Sequence, residues 1–97
     1  MGATREELAL QVDVAEWGWL RPHGERGGLI VVSALLDLAE VGARVAADDV
    51  AAIESWIATG DLGKPTAAQR EAWDAAPDRR FRTLVVSPYV LVQELVN

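Results

Sequence analysis

The segment that most constrains the fold is Trp56-Ile57-Ala58-Thr59-Gly60-Asp61-Leu62-Gly63-Lys64-Pro65-Thr66-Ala67-Ala68-Gln69-Arg70-Glu71-Ala72-Trp73. It spells one helix stopping, a short loop and a second helix starting. Gly60 stands where a helix C-terminus favours a left-handed residue, and Pro65 cannot continue the old helix because it lacks an N–H. Thr66 and Gln69 have the spacing of a capping box, which satisfies the free N–H groups of a new N-terminus. Two helical segments are therefore required here, and a tryptophan on each gives them a core to pack into.

Other elements follow from the same local signals. Thr4 and Glu7 form another capping pair, so a helix is expected from about Arg5 to Leu20, with Leu8, Val12, Ala15 and Trp19 as its stripe. Leu8, Leu10, Val12 and Val14 also alternate with period two, the strand template. The cap and the Ala/Glu content favour the helix. In a helix, Trp17 and Trp19 lie about 200° apart around the axis, so a single buried face cannot hold both. Pro22 interrupts this segment, and Gly24, Gly27 and Gly28 mark a loop.

Leu29-Ile30-Val31-Val32 is a β-branched run, the best candidate for a central strand. Asp37 with Glu40 opens a helix carrying Leu38, Val41 and Val45, and Asp48-Asp49 caps a further one carrying Val50, Ile53, Trp56 and Ile57. One bent helix is the alternative to two. The helix from Thr66 ends before Pro77. Phe81–Ser87 reads as a second strand and Tyr89–Val96 as a third, separated by Pro88. The expectation is a single α+β domain over residues 1–97, in the order α-β-α-α-α-β-β, with a small mixed three-stranded sheet packed by about four helical segments. The first two strands are expected to pair in parallel across the helical crossover, with Tyr89–Val96 beside one of them. An edge that apolar would invite pairing with another copy.

Composition removes several classes of function. The 97 residues contain no cysteine, which excludes a disulfide framework, a thiolate metal site and a cysteine nucleophile, and fits a reducing compartment. A net charge of −6, from 15 acidic against 9 basic residues, argues against a nucleic-acid partner. The polar start has no signal-peptide core, and no apolar run approaches the ~20 residues needed to span a bilayer, so a cytoplasmic, membrane-free protein is expected.

Three pieces taken together resemble a known family: Leu29–Val32 followed by Leu36-Asp37-Leu38-Ala39-Glu40-Val41, the block Trp56–Trp73, and Leu84-Val85-Val86-Ser87-Pro88-Tyr89-Val90-Leu91-Val92-Gln93-Glu94. In this order they look like domain of unknown function 2288, a family of small bacterial proteins, and the likeness runs from about Leu8 to Glu94. The resemblance implies a stand-alone bacterial cytosolic protein. It brings no activity, cofactor or catalytic residue with it.

The candidate sites are modest. Asp37, Glu40, Asp48 and Asp49 could in principle gather around Mg²⁺, but helix capping accounts for all four, and hard cations need more convergent oxygens. Arg21, His23 and Arg26 lie in a glycine-punctuated stretch that could hold an anion, although it matches no phosphate-loop pattern. His23 is the single histidine, which excludes a histidine-paired metal site within one chain. Ser33, Ser55 and Ser87 lie in no nucleophile motif. Arg79, Arg80 and Arg82 make a basic patch that a solvated, charge-guarded edge explains. Neither a metal nor a cofactor is expected.

Trp17, Trp19, Tyr89 and Leu91 are the candidates for a partner surface, because aromatic side chains are enriched where proteins meet. The residues thus point first to a non-enzymatic module that self-associates as a homodimer. The alternative is a small-molecule or anion binder, or a modest enzyme, whose pocket between sheet and helices would use Arg21, His23, Asp37 and Glu40.

Overall fold

The computed structural model describes residues 4–95. In chain order the elements are α1 (Arg5–Ala9), β1 (Asp13–Glu16), α2 (Trp17–Glu25), β2 (Leu29–Val32), α3 (Leu38–Ala46), α4 (Val50–Thr59), β3 (Leu62–Gly63), α5 (Ala67–Asp74), β4 (Arg80–Val86) and β5 (Tyr89–Glu94). The α+β class holds. The described residues carry five strands in one sheet and five helices, against the three strands and four helical segments expected.

The largest local correction falls on the first segment. Thr4 does cap a helix, accepting the Glu7 N–H at 3.2 Å, but α1 lasts five residues. The chain then extends and pairs antiparallel with β4, Asp13 opposite Thr83 and Glu16 opposite Arg80. The strand does not follow the period-two residues, since Leu10 and Val14 are exposed; extension here instead lets Val12, just before β1, and Ala15 reach the two cores on opposite sides of the sheet. Pro22 does not end the next helix either; α2 runs through it to Glu25. The hydrogen bond lost is the one to the Gly18 carbonyl, and both residues are exposed, so water can replace it. Termination comes at Gly27 (φ 79°), where the Gly28 N–H reaches the His23 carbonyl and the Gly27 N–H that of Gly24, both at 3.1 Å. These paired bonds are a Schellman end.

The same device separates α3 from α4, with Asp48 (φ 55°) in the position usually given to glycine, so two helices form rather than one bent one. It recurs at Gly60, where the Asp61 N–H bonds the Trp56 carbonyl at 2.9 Å. Asp49 caps α4 through the Ala52 N–H, and Thr66 with Gln69 forms the full capping box of α5. Asp37 occupies the N-cap position of α3 without capping it; its carboxylate is turned to Arg5.

The strand order is β1-β4-β5-β2-β3. β2 pairs in parallel with β5, not with β4 as expected, and all other pairings are antiparallel. β5 is therefore an interior strand, held by β4 on one side and β2 on the other. A continuous apolar run such as Tyr89-Val90-Leu91-Val92 is what a strand covered on both faces requires, and an edge position would have exposed half of it. Val96, the expected end of this strand, lies outside the described residues. The Ser87–Pro88 bond in the β4–β5 turn is cis.

Alternation along the strands feeds two cores. On one face, α1, α3 and α4 pack with Val32, Leu84 and Leu91; on the other, α2 and α5 pack with Leu29, Phe81, Val90 and Val92. Gly42 lets α3 lie directly on β4, since a Cβ there would overlap the Leu84 side chain.

Candidate functional site

The four expected partner-surface residues separate into two pairs. Trp17 and Leu91 are fully buried and available to no partner: Trp17 because α2 turns that face to the sheet, Leu91 because β5 is interior. Trp19 is 77% exposed and Tyr89 42%. The 200° separation of the two tryptophans thus divides them between core and solvent. Trp17 packs against Trp73 with ring centroids 4.9 Å apart, and Trp73 meets Phe81 edge-on at the same distance. Each buried indole N–H finds a carboxylate, Trp17 that of Asp74 at 2.8 Å and Trp73 that of Glu94 at 2.7 Å. Arg21 and Arg79 stand beside those two carboxylates. Trp56 is half-buried at the edge of the other core.

The four expected ligand residues do not converge. Arg21 and His23 sit on α2, whereas Asp37 lies at the N-cap of α3 and Glu40 within it, across the sheet. Arg21 pairs with Glu25 and Asp74, Asp37 with Arg5, and Glu40 with Arg44. Hydrogen bonding to Glu40 first, and to Asp49 second, raises the Arg44 pKa above its ordinary value. Among the described residues no group of three or more His, Cys, Asp or Glu side chains is placed to hold a metal ion. Arg79 pairs with Glu94, whereas Arg80 and Arg82 have no ion-pair partner among the described residues.

The free sheet edges are poor docking strands. β1 is four residues long, and the Val14 N–H is taken by the Asp13 carboxylate at 2.8 Å. β3 has two residues and is followed by Lys64 and Pro65. Short length, charge and proline are the devices that protect an edge from strand addition.

The surface that stands out is α4. Its sequence, VAAIESWIAT, carries one charge, Glu54, yet none of its residues is fully buried, whereas α3 buries four of nine. Ile53 and Trp56 lean on the core, while Val50 and Ile57 are each more than half exposed. Beside α4 lies a half-open cavity of about 120 Å³ lined by Ile30, Val45, Ile53, Ile57, Leu62 and Tyr89, with no polar side chain except the tyrosine. A helix apolar on all sides normally lies inside a protein. That pattern was present in Val50–Ala58 and is the signal by which the sequence could have revealed this surface. Trp19 occupies a separate shallow depression with Glu16, Gly18, Pro77 and Asp78.

No helix among the described residues is long and apolar enough to cross a membrane. The fold is similar to the NMR solution structure of PA1075 from Pseudomonas aeruginosa, with a TM-score of 0.80 and 33% identity, over 93% of this chain and 82% of that one. A comparison with curated proteins finds no match. Residues 3–94 match the family described as protein of unknown function (DUF2288), so the motifs from Leu29 to Glu94, the five-stranded sheet and the match together place the chain in that family.

Proposed function

We propose that this protein is a non-enzymatic interaction module of the bacterial cytosol that forms a homodimer through α4. The observation that carries this is the uncovered apolar face of Val50–Thr59, with Ile57 and Tyr89 at the rim of its groove. Charge favours a second copy as the occupant. A chain of net charge −6 repels itself, and α4, with Glu54 alone, is where two copies meet with the least repulsion. Two α4 helices packed antiparallel about a two-fold axis use the same surface twice and close the assembly.

The test is absolute mass by light scattering over a dilution series, for the natural chain, Ile57→Asp and Tyr89→Lys. Burying the exposed half of Ile57 contributes about 1–1.5 kcal/mol per copy, counted twice by symmetry, and an aspartate there would also bury a charge, so Ile57→Asp is expected to be monomeric where the natural chain is dimeric. Tyr89→Lys is expected to weaken the dimer. A natural chain that is monomeric at every concentration overturns self-association. A dimer untouched by Ile57→Asp removes α4 from it.

The apolar cavity beside α4 favours one second reading, a seat for a small apolar ligand. Saturable enhancement of an environment-sensitive apolar dye by a monomeric natural chain, lost in Ile57→Asp, would select it.

A further inference from the structure

We propose, resting on the antiparallel α4 pairing above, that Glu54 sets the strength and the charge preference of this interface. The two Glu54 carboxylates meet across the two-fold axis and hold self-association weaker than the apolar contact alone would make it. A copy carrying a cation at this position pairs better with the natural chain than the natural chain does with itself.

The stripe on which the dimer depends contains the charge. Val50 and Ile57 are each more than half exposed, seven positions apart and about 20° apart around the helix axis. Glu54 is exposed and lies between them in height, about 40° from Val50 and about 60° from Ile57. A contact through Val50 and Ile57 therefore takes in Glu54. With Val50 of one copy over Ile57 of the other, the two-fold axis passes between positions 53 and 54. The two Glu54 residues are then offset by only about 1.5 Å along helices whose axes lie about 8–10 Å apart. At that separation salt screens incompletely, and like charges repel.

Nothing in the same copy neutralises this carboxylate. Glu54 has no ion pair among the described residues. The positions three and four residues away are Val50, Ala51, Ile57 and Ala58, so no pair along the helix surface explains it either. The elements against α4 are α3 and β3. Arg44, the cation of α3, is held by Glu40 and Asp49. β3 has no charged residue, and the Lys64 that follows it carries its ammonium to the Gly27 turn. Asp61, just past α4, accepts from the Thr59 hydroxyl and adds no cation. Helix capping does not need Glu54, because Asp49 already serves the α4 start. One unpaired charge in an otherwise apolar stripe discriminates between partners by the sign of what they set opposite it.

The experiment measures dimer dissociation constants by sedimentation for the natural chain, Glu54→Gln and Glu54→Lys. An equimolar mixture of the natural chain with Glu54→Lys is followed with one component fluorescently labelled. Glu71→Gln is the control, since it removes the same charge from the exposed side of α5 in the other layer. Glu54→Gln is expected to dimerise about tenfold more tightly than the natural chain, and Glu71→Gln within about twofold of it. Glu54→Lys again sets like charges opposite each other, so the mixed dimer is expected to be tighter than either homodimer. The proposal is overturned if Glu54→Gln pairs no more tightly than Glu71→Gln, or if the mixed dimer is no tighter than its components. A dimer abolished by Ile57→Asp but indifferent to Glu54 overturns this inference and leaves the α4 pairing standing. Natural and Glu54→Gln chains that are both monomeric at every concentration overturn the two together.

Discussion

The two faces of the sheet use similar residues to different ends. Under α2 and α5, Trp17, Trp73 and Phe81 are enclosed, with both indole N–H groups paired to carboxylates. On the opposite face α3 is as well enclosed, but α4 leaves Val50 and Ile57 in solvent and Trp56 only half-covered. The difference lies in what lies over each helix rather than in hydrophobic content. α2 and α5 cover each other's flank and the sheet at once, while α4 touches mainly α3 and the two-residue β3. An apolar helix at the end of a layer stabilises the monomer little and is open to a partner.

Stability measurements can break this contrast. The largest effect is expected from Trp73→Ala, which removes the ring that touches both Trp17 and Phe81; a loss of about 3–5 kcal/mol in urea unfolding is expected. A loss below ~1 kcal/mol would mean that the α2–α5 layer unfolds apart from the rest. Gly42→Ala is next. The new methyl group runs into Leu84, and about 1–3 kcal/mol should be lost as α3 is pushed off β4. A neutral result would show that Leu84 can swing aside and that the α3 face is looser than the aromatic one. Ile57→Asp should be smallest, within about 0.5 kcal/mol at concentrations where the chain is monomeric. A large destabilisation there would place Ile57 in the monomer core and erase the contrast.

What was legible in the sequence is local. The Thr66–Gln69 box, the stop at Gly60, the bounds of β2 and the break between α3 and α4 each depend on residues within one turn of one another. The candidate surfaces were half legible. The tryptophan spacing required one of Trp17 and Trp19 to leave the core, but nothing local says which. Tyr89 and Leu91 were read as neighbours on one edge; they share a face of an interior strand, and position along it decides the difference, Tyr89 at the strand's start reaching the groove rim and Leu91 lying in the core.

By itself, then, the sequence determined the α+β class, the caps of α1, α4 and α5 and the stop of α4, the absence of cysteine chemistry and the membership of a family. Only the tertiary structure decided that residues 13–16 extend, that β5 lies between β4 and β2, and that α4 is left uncovered. The reason is physical. A cap or a glycine stop is satisfied by bonds closed within a few residues, whereas strand order and the covering of a face are settled by which distant segments bury the most apolar surface together.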